Sequence, residues 1–127
     1  MVVLDTDVLI ALSKGEKRIV DKLRKLEAEE ELATTIVTCE EFLFGLYLLG
    51  NKEKLTEGKR LISNLKIYDY TLKELKSVIE LRLAPRKEGK PIGVRDMIIA
   101  GICIANNEKL FTLNRKHFRR VPKLKLV

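Results

Sequence analysis

Four oxygen-bearing side chains in this chain stand where an apolar run gives way to a helix-like segment: Asp5, Glu41, Asp96 and Asn114. Asp5 is the clearest, following Met1-Val2-Val3-Leu4 and preceding Thr6 to Leu12. In open α/β sheets the carboxyl ends of the strands are where side chains and helix N-termini converge. Gathering several acids at one such edge is unfavourable. At ~4 Å and an effective dielectric of about 20, each pair repels by about 4 kcal/mol. Acids gathered in this way therefore point to a divalent metal.

Each acid also has a plainer reading. Asp5 or Thr6 could simply cap the first helix, which accounts for one of the two acids in Leu4-Asp5-Thr6-Asp7 but not both. Asp7 in a first helical turn suits the helix dipole. Glu41 ends the capping-box sequence Thr38-x-x-Glu41, and on the residues alone the capping role wins there. Glu40 would point about 100° away round the helix. Asp96 opens the apolar stretch Asp96 to Cys103, where dipole compensation again suffices. Asn114 closes Leu110-Phe111-Thr112-Leu113-Asn114 and could start a turn. The argument for a site is their convergence, since parallel strands bring such junctions to one edge.

The elements needed to position them are legible. Strands are expected at Met1 to Leu4, Leu32 to Val37, Leu65 to Tyr68 and Lys109 to Leu113, with a fifth at the edge from Leu124 to Val127. Helical spacing recurs in Ile19, Val20, Leu23 and Leu26, and in Leu72, Leu75, Val78 and Ile79. Capping-box sequences Ser13-x-x-Glu16, Thr38-x-x-Glu41 and Thr71-x-x-Glu74 mark helix starts. This alternation specifies a mostly parallel sheet of four to five strands with helices on both faces. Phe42 to Leu49 is apolar all round, which predicts burial on one side and a second subunit on the other, a symmetric homodimer. Residues 85–93 read as a polar loop rich in Pro and Gly.

A length of 127 residues fits one domain, residues 1–127, with a real core. At 46% hydrophobic and 34% charged the chain is not disordered. Its 25 Lys+Arg against 18 Asp+Glu give +7, which favours polyanionic partners, nucleic acid above all. A thermophile-type surface, rich in Lys, Glu and Arg and lacking Gln, has the same composition. Cys39 and Cys103 form no metal-binding or disulfide pattern and fit a reducing cytoplasm. No secretory signal pattern opens the chain, and Met97 to Ala105 is too short to span a bilayer.

Taken in order, these blocks resemble the PIN-domain ribonucleases, and more narrowly the VapC-type toxins of prokaryotic toxin–antitoxin pairs. Val2 to Ile10 is similar to the family's opening, although Asn is commoner there than Asp at the position of Asp7. Thr38-Cys39-Glu40-Glu41-Phe42-Leu43-Phe44-Gly45 resembles its second block, a Thr, then an acid, then a Gly four residues on, which selects Glu41 over Glu40. Asp96-Met97-Ile98-Ile99-Ala100 and Leu110 to Phe118 resemble the third and fourth. Many members carry Asp at the position of Asn114, and others Asn.

The resemblance implies a three-layer α/β/α sandwich and a metal-dependent endoribonuclease. Asp5, Glu41 and Asp96 would hold Mg²⁺ or Mn²⁺, and Asn114 would position a water or a weaker second ion. Thr6, Asp7 and Thr112 would lend outer hydrogen bonds. It also implies a cognate antitoxin that blocks the acidic pocket. RNA would be drawn by Arg86, Lys87, Lys90 and Arg95 beside Asp96, and by Arg115 and Lys116 after Asn114. Six such contacts to a single strand would give a log–log salt slope of about −4. Tyr68 and Tyr70 read as core edge rather than base-stacking platforms, and His117 as a packing partner of Phe118. Two rivals remain. Asp5 and Asp7 also fit the first motif of haloacid-dehalogenase-like phosphatases, though no later acidic pair follows Asp69. A non-catalytic RNA-binding module of the same fold is the other.

Overall fold

The computed structural model describes residues 1–84 and 92–127. Five short strands, β1 (Val2–Leu4), β2 (Leu32–Thr35), β3 (Lys66–Tyr68), β4 (Lys109–Phe111) and β5 (Lys125–Leu126), form one sheet in the order β3-β2-β1-β4-β5. Every pairing is parallel, with Val3 opposite Ala33 on one side and Leu110 on the other. All the strands therefore end at the same edge.

Among the described residues seven helices connect them: α1 (Thr6–Ser13), α2 (Lys17–Glu27), α3 (Ile36–Leu49), α4 (Lys52–Ser63), α5 (Leu72–Leu83), α6 (Val94–Ala105) and α7 (Arg115–Phe118). Alternate residues of a strand face opposite sides of the sheet, and β1 distributes its side chains accordingly. Val2 and Leu4 join Val8, Leu9, Ile19, Leu23, Phe42 and Ile62 in one core. Val3 joins Ala33, Ile99, Ala100, Cys103, Leu110 and Phe118 in the other. The result is the three-layer sandwich that the resemblance implied. Helices α5 and α6 pack closely at Gly101 of α6, where a Cβ would stand 2.4 Å from Val78 Cγ2 of α5. Among the described residues no helix is long and apolar enough to cross a membrane.

Some boundaries differ from expectation, and strand β4 ends at Phe111 and not Leu113. Strand β2 stops at Thr35 and not Val37, because Thr35 Oγ1 accepts from the Thr38 N–H and so caps a helix that begins at Ile36. The Thr38-x-x-Glu41 capping box does not form, since Thr38 already lies inside that helix. Ser13-x-x-Glu16 fails likewise. Ser13 closes α1 by bonding back to the Ile10 carbonyl, and Glu16 precedes α2 without a side-chain bond. Thr71-x-x-Glu74 does form, with Glu74 accepting from the Thr71 N–H at 2.8 Å and hydroxyl at 2.7 Å.

The apolar stretch of α3 divides by face. Phe42 is buried and Leu43 and Leu46 pack on the same core, whereas Phe44, Tyr47, Leu48 and Leu49 are exposed.

Candidate active site

The carboxyl-end junctions of β1 and β4 are neighbours in the sheet, and the main chain ties them: the Asp5 N–H donates to the Phe111 carbonyl at 3.0 Å. Asp5 ends β1 as the N-cap of α1, its Oδ1 accepting from the Thr6 N–H at 2.8 Å. Capping uses only that oxygen. Oδ2 accepts from the Thr112 hydroxyl at 2.8 Å, across to the end of β4. Asp7, one turn on, receives the Leu113 N–H at 3.2 Å. Thr112 also accepts from the Asn114 N–H at 3.1 Å, so one hydroxyl links Asp5 to the turn that carries Asn114.

The remaining acids come from the helices after β2 and β3. Glu41 lies one turn into α3, free of any capping duty, and Asp96 lies in the first turn of α6. Asp5, Asp7, Glu41, Asp96 and Asn114 all line one cleft of about 890 Å³, together with Thr6, Gly45 and Phe118. Glu40 is exposed and does not line it. Asn114 caps α7 through its carbonyl, which receives the His117 and Phe118 N–H groups, and not through its side chain.

Negative charge in this cleft is not balanced. Burial, then the neighbouring Asp7 carboxylate, push the Asp5 carboxyl up to about 6, with Asp96 adding to the rise and the bonds from Thr112 and Thr6 opposing it. Burial also raises Asp7, against the Leu113 N–H. A carboxylate whose charge is disfavoured by its neighbours is what a bound cation would relieve. The donors are all oxygen, which suits a hard divalent ion. They are not assembled into a ready coordination shell: among the described residues no three His, Cys, Asp or Glu side chains stand together at metal-binding distance. Glu41 Oε2 accepts from Arg95 Nη1 at 2.9 Å, and Asp96 Oδ2 is 2.9 Å from His117 Nε2.

These pairs bear on the expected RNA contacts. Arg95, assigned from sequence to phosphate, is paired with Glu41, one of the acids lining the cleft. Arg115 bonds the Val127 carbonyl, and Lys116 is exposed. Arg86, Lys87 and Lys90 lie outside the described residues. Thr112 donates to Asp5 and lies 3.4 Å from Asp7 Oδ2, and the hydroxyl of Thr6 is buried at the cleft without a hydrogen-bond partner. His117 does pack edge-on against Phe118, with ring centroids 5.3 Å apart, but its bond to Asp96 went unread. Its spacing, three residues after Asn114, was the available signal. Lys14 and Lys54 also line the cleft, and nothing in their local sequence marks them. Tyr68 is half-buried at the core edge, as expected.

Residues 2–124 match the family profile of the PIN domain. The chain is 30% identical over 123 residues to the ribonuclease VapC2 of Rickettsia felis (strain ATCC VR-1525 / URRWXCal2), covering 95% of this chain and 92% of that protein. A chain of the crystal structure of VapBC2 from Rickettsia felis, bound to a DNA fragment from their promoter, superposes with a TM-score of 0.89 at 28% identity, covering 100% of this chain and 98% of that one. A chain of DNA-bound VapBC from Salmonella typhimurium shares the fold, with a TM-score of 0.87 at 23% identity and coverage of 99% and 96%.

Proposed function

This chain belongs to the PIN-domain family and to its VapC type, and from that membership we propose that it is an endoribonuclease, the toxin of a toxin–antitoxin pair. We propose further that its activity depends on Mg²⁺ or Mn²⁺. The observation that carries the reading is that oxygen donors from four separate segments line one cleft in which Asp5 is pushed up to about 6. Asp5, Glu41 and Asp96 would hold the ion, with Glu41 giving up Arg95 to do so. Such an ion, when bound, supplies an acidified water and neutralises charge that builds on the phosphate.

The rest falls to the chain itself. The Thr6 N–H and the Thr112 hydroxyl fix the orientation of Asp5, so its carboxylate needs no rearrangement. Leu113 holds Asp7 by its main chain, which keeps a second negative charge beside Asp5 and strengthens the demand for a cation. Asn114 offers an acceptor and two donors to a water or a phosphate oxygen. Arg95, once released from Glu41, would be available as a phosphate partner, as would Lys14 and Lys54, which line the cleft. The phosphatase alternative loses ground, since Asp7 is tied to the Leu113 main chain rather than free for acid–base work.

The solved relatives are VapBC complexes, and a cognate antitoxin is the corresponding partner here. The exposed half of α3 (Phe44, Tyr47, Leu48 and Leu49) is proposed to seat a second copy of the chain. Incubating a structured RNA with the protein and Mg²⁺, Mn²⁺ or EDTA tests the activity. Cleavage should require the metal and vanish in EDTA. RNA that binds but is never cut, with either ion, would favour the non-catalytic module.

A further inference from the structure

We propose that His117 is a positioning residue that sets the carboxylate of Asp96, and that Arg120 fixes the tautomer in which it does so. The proposal rests on the reading of Asp96 as a metal-holding acid and adds a residue to that site. His117 Nε2 is 2.9 Å from Asp96 Oδ2, joining the turn after β4 to the start of α6. On the other side of the ring, Arg120 Nη2 lies 3.4 Å from His117 Nδ1. A guanidinium has donors and no acceptor. The nitrogen facing it must therefore accept, which leaves the proton of the neutral ring on Nε2, directed at Asp96. The ring has little freedom to do otherwise. It stands edge-on to Phe118, which is 1% exposed in the second core, and Arg120 Nε reaches the His117 carbonyl at 3.5 Å.

The consequence is for Asp96. Located near the start of α6 with its side chain only half-buried, it would otherwise be free to turn towards water. The His117 donor fixes Oδ2, and with it the plane in which the other oxygen lies. Outer hydrogen bonds of this kind orient a metal-binding carboxylate, and their loss typically weakens metal affinity by about 10- to 100-fold. No protonation change in His117 is required.

Two measurements test this. His117 is the only histidine in the chain, so long-range ¹H–¹⁵N spectra of the metal-free protein report its neutral tautomer without ambiguity. The proton should be on Nε2; a proton on Nδ1 overturns the proposal. The second is calorimetric titration with Mn²⁺ of the wild type, Asp96→Asn, His117→Ala and His117→Gln, each checked for an intact melting transition. The glutamine amide can supply a donor where Nε2 stood. His117→Ala should bind Mn²⁺ about tenfold or more weakly, with His117→Gln near the wild type. Equal loss in both His117 variants, or none in either, overturns the proposal while leaving the metal site intact if Asp96→Asn has lost binding. A wild type that binds no Mn²⁺ would remove the metal-site reading and this proposal together.

Discussion

At the amino-terminal edge of the sheet, Glu30 is bonded by Lys109, and the Met1 amine lies 2.8 Å from Glu108 and 3.5 Å from Glu30. At the carboxyl edge of the same strands, Asp5 and Asp7 are bonded by hydroxyl and main-chain donors, and among the described residues by no basic side chain. The pKa directions follow. The Lys109 bond holds the Glu30 carboxyl below its usual range, whereas burial and Asp7 push Asp5 up to about 6. Acids placed for stability are matched with bases, and acids placed for chemistry are left short of positive charge. Glu41 and Asp96 fall between these cases: Glu41 rests on Arg95, which could yield to a metal, and Asp96 on His117, which can stay on one oxygen while the other is left for the ion.

The largest effect that tests this contrast is on catalysis. Asp5→Asn and Asp96→Asn should each lower RNA cleavage by about a thousandfold or more, the several kcal/mol that a lost metal contributes to the transition state. Glu30→Gln, at the opposite edge, should leave the rate unchanged. Timed cleavage of one labelled RNA by all three variants checks both halves.

Stability should respond with opposite signs at the two edges. Asp5 in the metal-free fold titrates near 6 against a usual 3.8, so between those values the native state holds more protons than the unfolded chain. Stability therefore falls as pH rises from about 4 to about 6, by roughly 3 kcal/mol from this group alone. Asp5→Asn should remove that loss and raise the melting temperature of the metal-free protein at pH 7.5 by several degrees. Glu30 has the reverse sign. Its contribution is present above the ordinary carboxylate range and is lost on acidification through its lowered value. Melting curves in EDTA across pH 4 to 8 would show whether the two edges diverge.

A smaller effect concerns the support for Asp96. Gly101→Ala would set a Cβ 2.4 Å from Val78 Cγ2 and 3.1 Å from the Val78 main chain, displacing α6 from α5. A loss of about 1–3 kcal/mol by urea unfolding is expected, the usual cost of overpacking. Smallest of all is Glu40→Gln, which should be near neutral in cleavage where Glu41→Gln is not.

The sandwich was legible because β1 and β4 are short apolar runs bounded by site residues, and their alternation with helical spacing leaves few topologies. The start of α3 was misread for a physical reason. Thr35 and Thr38 sit three apart, each able to cap, and the β-branched Ile36 and Val37 look like strand. Only the fold shows that Thr35 is the cap, and this is what frees Glu41. Asp5 and Asp96 could be read from their junctions. The Arg95–Glu41 and His117–Asp96 pairs could not, since they join residues 54 and 21 positions apart.

The claim beneath all of this is that Asp5, Glu41 and Asp96 serve one cation, and the most direct measurement is anomalous diffraction from crystals soaked in Mn²⁺. The account predicts a peak in the cleft about 2.1 Å from oxygens of those three residues, with Arg95 swung off Glu41. Manganese found only at the opposite edge of the sheet, or a cleft with no peak and Arg95 still on Glu41, would contradict it.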